Sequence, residues 1–141
     1  MHKPYLITLY NIIILVMINP VTTLQLTSCL FGTVVVHAYA KREGLLHLLC
    51  LIQTVLSVWN HSSKNATVRS VDMFFARVLF CYGSFQLAYT MNPFFVFSLA
   101  LAVLWVAECR LVECEETATK VHAVLHVVAC VGMHGYLWYY G

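Results

Sequence analysis

Residues 24–60 read LQLTSCLFGTVVVHAYA (24–40), KREG (41–44) and LLHLLCLIQTVLSVWN (45–60): two long apolar runs joined by four residues that carry most of the local charge. A helix that crosses the hydrocarbon of a bilayer needs roughly 20 mostly apolar residues, and each run approaches that length. The pattern predicts a transmembrane hairpin, with Gly44 as its tight-turn residue. The rest of the chain repeats it. Residues 71–90 form the next span, and Asn92 and Pro93 turn the chain because proline cannot continue a helix without losing a backbone bond. Residues 94–107 cross back, 108–119 form an acidic joint holding Glu113, Glu115 and Glu116, and 120–140 form the last span. Residues 5–19 end at Pro20 and are short for a span, so they read as a sixth crossing, an interfacial helix or a signal-like segment.

The expected fold is therefore all-α, a polytopic transmembrane bundle of five to six helices forming one domain over 1–141. Residues 1–23 are its doubtful part and 24–141 its core. Composition agrees: 61% of the 141 residues are hydrophobic, 10% are charged and mean hydropathy is +0.79, which excludes a single water-facing domain. Period-two alternation of the kind a membrane barrel needs is absent from the sequence. The net charge of +2 is scattered, with no basic run, so nucleic acid is not expected as a partner. Of the six cysteines, Cys29, Cys50, Cys81 and Cys130 fall in apolar runs and read as small hydrophobes, and Cys109 and Cys114 flank a polar joint.

Ionisable and polar groups inside a membrane are costly, so those that converge in space point to function. Counting crossings puts Ser57 and His61 at the end of one span, Asp72 at the start of the next, and His122 and His126 in the first turns of the last, all on one side. Residues four apart share a helix face, which pairs Ser57 with His61 and His122 with His126. Three imidazoles can hold Zn²⁺ and leave one tetrahedral position open, where a water ionises near neutral pH. Asp72, the only aspartate, then serves as general base or as the partner that orients a histidine. Ser57 would hydrogen-bond either a polarised carbonyl or that water. Against this stand simpler roles: histidines also satisfy interhelical hydrogen bonds, and an aspartate near a helix start often caps it. His37, His47 and His134 read as packing or hydrogen-bonding residues. Trp59, Tyr136, Trp138, Tyr139 and Tyr140 read as an interfacial belt, and Gly83, Ser84 and Ala88 as a helix-contact stripe.

The segments LSVWNH (56–61), VDM (71–73) and VHAVLH (121–126) resemble the signature of the alkaline ceramidase, progestin/adipoQ receptor and Per1 superfamily of membrane hydrolases, closest in local motif to alkaline ceramidase. The resemblance covers roughly 24–88 and the final span. It implies zinc held by His61, His122 and His126, with Ser57 and Asp72 assisting attack of water on an amide or ester bond of a lipid such as ceramide. It further implies a multi-pass protein of the endoplasmic reticulum or Golgi, a role in sphingolipid metabolism, and a lipid substrate. Two features depart from that family: its members have seven helices, so the expected cavity is either smaller or completed by a second copy of this chain, and no acidic residue precedes Glu43 here. The competing expectations are a non-catalytic, receptor-like or scaffolding protein with a structural zinc, and a haem-binding bundle using two facing histidines.

Overall fold

The computed structural model describes residues 20–110 and 114–140, all of them in helices or short turns; residues 5–19 lie outside the described part. Five helices follow one another: α1 (Pro20–Ala40), α2 (Gly44–Ser62), α3 (Ala66–Tyr89), α4 (Phe95–Arg110) and α5 (Glu115–Tyr140). Each packs on its neighbours in the chain, and α5 closes the ring by lying beside α1, with the α3–α4 seam the thinnest. The number of reversals makes α1 and α5 parallel, so that Thr27 meets His126 and, farther along, Thr33 meets His134.

Three of the helices have segments long and apolar enough to cross a membrane: Thr23–Ala40, Gly44–Ser62 and Glu116–Tyr139. The other two fall short for different reasons. α3 has the length but carries Arg69, Asp72 and Arg77, while α4 is 16 residues long. Lipid does not drive apolar helices together, so a bundle of this kind depends on close packing and interhelical hydrogen bonds, the latter worth about 0.6 kcal/mol each on average.

Local chemistry explains where the helix ends depart from the sequence-based expectation. Gly44 is not the tight-turn residue; it opens α2 with an ordinary backbone, and Arg42 takes the left-handed conformation at φ 60°. The amide of Glu43 reaches the carbonyl of Ala38 (2.9 Å) and that of Arg42 reaches Tyr39 (3.0 Å), which together form a Schellman end to α1. α3 ends the same way, with Met91 at φ 50° and the amide of Asn92 bonded to the carbonyl of Leu87 (2.9 Å). It begins five residues earlier than expected, because the Asn65 side chain caps it by accepting from the amides of Thr67 and Val68. Asp72 therefore lies well inside α3 and caps nothing. Nor is 108–119 a joint over its whole length: α4 continues to Arg110 and α5 starts at Glu115.

The interior is divided along its length. On α2 the buried positions Leu46, Cys50, Gln53 and Ser57 follow helical spacing, so one face is apolar near the start and polar near the end. The same gradient runs through the neighbours: Val34, Ala38, Leu79, Leu87 and Leu137 fill one half, and Thr27, Ser28, Asp72 and His126 the other. Tyr136 departs from the expected belt. It is buried in the apolar half, whereas Trp59, Trp138 and Tyr139 are exposed as a belt requires. A cavity of about 30 Å³ between α2, α3, α4 and α5 is lined by Leu79, Gly83, Ser84, Phe97, Gly132 and Met133 and is separate from the polar half.

Candidate metal centre

α2 delivers Ser57 and His61 on one face at its C-terminal end, and α5 brings His122 and His126 up from its own N-terminal turns. The three imidazoles meet. One ligand nitrogen from each of His61, His122 and His126 lies within 4.8 Å of the others, the one such cluster among the described residues. Ring centroids are 4.6 Å apart for His122 and His126, 5.4 Å for His61 and His122, and 5.7 Å for His61 and His126. Nitrogens bound to a tetrahedral zinc at 2.0–2.1 Å are separated by about 3.3 Å, so binding would draw these rings together by about 1.5 Å at most.

The surroundings are compatible with a metal. His61 Nε2 is buried with no hydrogen-bond partner, a costly state for a polar atom unless something else satisfies it. His126, buried, has Nδ1 3.0 Å from the hydroxyl of Thr27. His122 has Nδ1 2.7 Å from Oε1 of Glu108, and both side chains keep just over a quarter of their surface exposed. The cluster thus has two fixed outer contacts and remains reachable from the end of the bundle.

Ser57 and Asp72 lie in the same polar half, fully enclosed. Ser57 is 0% exposed and its oxygen is 2.9 Å from that of Ser28. Ser28 has one proton and directs it to the carbonyl of Leu24 at 2.6 Å, so Ser57 donates to Ser28 and keeps its lone pairs free to accept. Asp72 is 5% exposed; Gln53 Nε2 donates to its Oδ1 and Asn60 Nδ2 to its Oδ2, both at 2.7 Å. A carboxylate oxygen has room for a second donor, so these contacts orient Asp72 without saturating it. They also engage the very nitrogen of Asn60 that a glycan in the Asn60-His61-Ser62 sequon would occupy.

The structure brings His61, His122 and His126 together and places Ser57 and Asp72 in the same polar half, but their partners are not legible in the sequence. Glu108 falls in the expected joint, and Thr27, Ser28, Gln53 and Asn60 carry no motif; the one legible signal is Gln53, four residues before Ser57 on the same face. The other described histidines are hydrogen-bonding residues, as expected: His37 and His134 meet through their Nδ1 atoms at 2.8 Å, His134 also meets Thr33 at 2.9 Å, and His47 contacts the carbonyl of Val35 at 3.0 Å. The facing pair His37 and His134 touch directly, which leaves no room for a haem iron between them. Cys109 and Cys114 are both free thiols. No family model, curated protein or solved structure matches the chain.

Proposed function

We propose that the chain is a multi-pass membrane protein, of the endoplasmic reticulum or Golgi in a eukaryote, that hydrolyses the amide or ester bond of a lipid at a zinc site formed by His61, His122 and His126. Ceramide is the first substrate to try. The observation that supports this most is the placement of three imidazoles at one end of an otherwise apolar bundle, with the buried carboxylate of Asp72 in the same polar half. A zinc ion there would supply Lewis-acid polarisation of the scissile carbonyl and a water ionised at neutral pH.

The chain's own residues divide the remaining work. Asp72, aligned by Gln53 and Asn60, takes the proton of the attacking water and returns it to the leaving amine or alkoxide. Ser57, with its proton committed to Ser28, holds the water by accepting a hydrogen bond. The apolar outer faces of α1 and α2, with Val36, Leu48, Leu51 and Val55 exposed, match acyl chains. A second copy of the chain is a further candidate partner.

Zinc content by elemental analysis of detergent-purified protein, followed by hydrolysis assays on ceramides and other acyl lipids, tests the proposal. About one zinc per chain, lost in His61→Ala and His122→Ala together with hydrolysis, supports it; folded protein without zinc removes it. A second role is favoured by the enclosure of Ser57 and Asp72: a structural zinc that holds α2 to α5 in a receptor-like or scaffolding protein. Zinc binding without turnover of any lipid would select that role.

A further inference from the structure

We propose that Glu108 is the positioning residue that fixes the tautomer of His122, holding its proton on Nδ1 and so presenting Nε2 as a lone pair to the metal. The proposal rests on the three-histidine zinc site for its consequence, but its geometry stands alone. An ionised carboxylate only accepts, so the 2.7 Å contact between Oε1 of Glu108 and Nδ1 of His122 requires the proton to sit on Nδ1. A neutral imidazole has one ring proton, so Nε2 is then bare. The three-histidine cluster needs one such nitrogen from each ring.

The pair bridges α4 and α5, 14 residues apart in the chain. Both side chains are about three-quarters buried, which lowers the local dielectric and strengthens a charge-assisted bond. Glu108 and His122 form the one carboxylate–histidine contact among the described residues. Carboxylates in this outer position raise ligand basicity, and their removal typically lowers metal affinity about 10- to 100-fold. Thr27 makes the corresponding contact to His126, so two of the three rings arrive already oriented. His61, whose Nε2 has no partner, is the ring left to adjust.

Full-length protein in detergent would be compared with Glu108→Gln, which keeps length and an acceptor oxygen, and with Glu108→Leu, which keeps neither. Zinc affinity measured against a competing chelator should fall about 10- to 100-fold in Glu108→Leu and less in Glu108→Gln. The second readout does not depend on zinc. In ¹⁵N-histidine-labelled, metal-free protein above pH 8, His122 should carry its proton on Nδ1, and Glu108→Leu should move it to Nε2, the form free imidazole side chains prefer. A wild-type His122 protonated on Nε2, or a Glu108→Leu protein with unchanged affinity and tautomer, overturns the assignment. Should wild-type protein take up no zinc, the hydrolase reading falls and the tautomer alone decides the role of Glu108. Loss of helical signal in Glu108→Leu leaves Glu108→Gln as the deciding variant.

Discussion

The hydroxyl of Thr27 lies 3.0 Å from Nδ1 of His126 across a separation of 99 residues, which ties the first described helix to the last at the level of the three-histidine cluster. Thr27 also donates its hydroxyl proton to the carbonyl of Leu24 at 3.2 Å. With its one proton used there, Thr27 accepts from His126, and His126 Nε2 is left bare. Thr27→Val keeps the shape and deletes the bond. Zinc affinity should fall about 10-fold, the low end for an outer contact, and thermal unfolding should show a loss of about 1 kcal/mol. An unchanged zinc affinity would mean that His126 is oriented by packing, including its edge contact with Phe31 at 5.5 Å.

Asp72 separates binding from turnover. Its hydrogen bonds go to Gln53 and Asn60, so Asp72→Asn should leave zinc content at its wild-type level while hydrolysis falls by about 10²-fold or more, the contribution of a general base. The substitution also places an amide among two amide donors. One buried donor must turn or go unpaired, at a cost of about 1–3 kcal/mol. Loss of zinc in a folded Asp72→Asn protein would show instead that the carboxylate shapes the metal site itself.

The fold was legible because hydrophobic length is a strong signal: all five helices stand where apolar runs predicted them. Their ends were not, since capping is decided by single side chains such as Asn65 and by backbone bonds such as that from Glu43 to Ala38. The site was legible as far as helical spacing reaches. Four-residue intervals placed Ser57 with His61 and His122 with His126, and counting crossings brought the pairs together. Glu108 and Thr27 were invisible because they reach the site through interhelical packing, which leaves no periodic trace. The tight helix contact within the chain is hidden for the same reason. Gly83, Ser84 and Ala88 read as a stripe for contacts within or between chains, but a methyl placed on Gly83 meets nothing within 4 Å in this chain, and the tight approach falls at Gly132 and Gly135 on α5.

That approach yields a stability prediction. A methyl on Gly135 would overlap the ring of Phe94, and one on Gly132 would sit 3.0 Å from Cβ of Phe97, so α4 rests on a glycine face of α5. Gly135→Ala should lower stability by about 1–3 kcal/mol, as overpacking does when a ring must move. Gly32→Ala, where a methyl meets nothing, should raise it by about 0.5–1 kcal/mol through helix propensity. Thermal unfolding of both variants in the same detergent checks the contrast. Equal shifts would mean that α4 slides freely on α5.

Cys114 offers a pH-dependent probe on the same side as the three-histidine cluster. It is exposed just ahead of α5, with Sγ 3.1 Å from the hydroxyl of Thr117. Hydrogen bonds from the Thr117 side chain and backbone hold its thiol below the ordinary cysteine range. The thiolate is the reactive form, so more of it is present at neutral pH, and alkylation of Cys114 should reach half its maximal rate at a lower pH than for a cysteine in an unstructured peptide. Thr117→Val removes the leading contact. Its rate profile should move to higher pH, and the rate at pH 7 should drop by about two- to five-fold. Identical profiles in wild type and Thr117→Val would show that the N-terminal end of α5, and not Thr117, is what favours the thiolate.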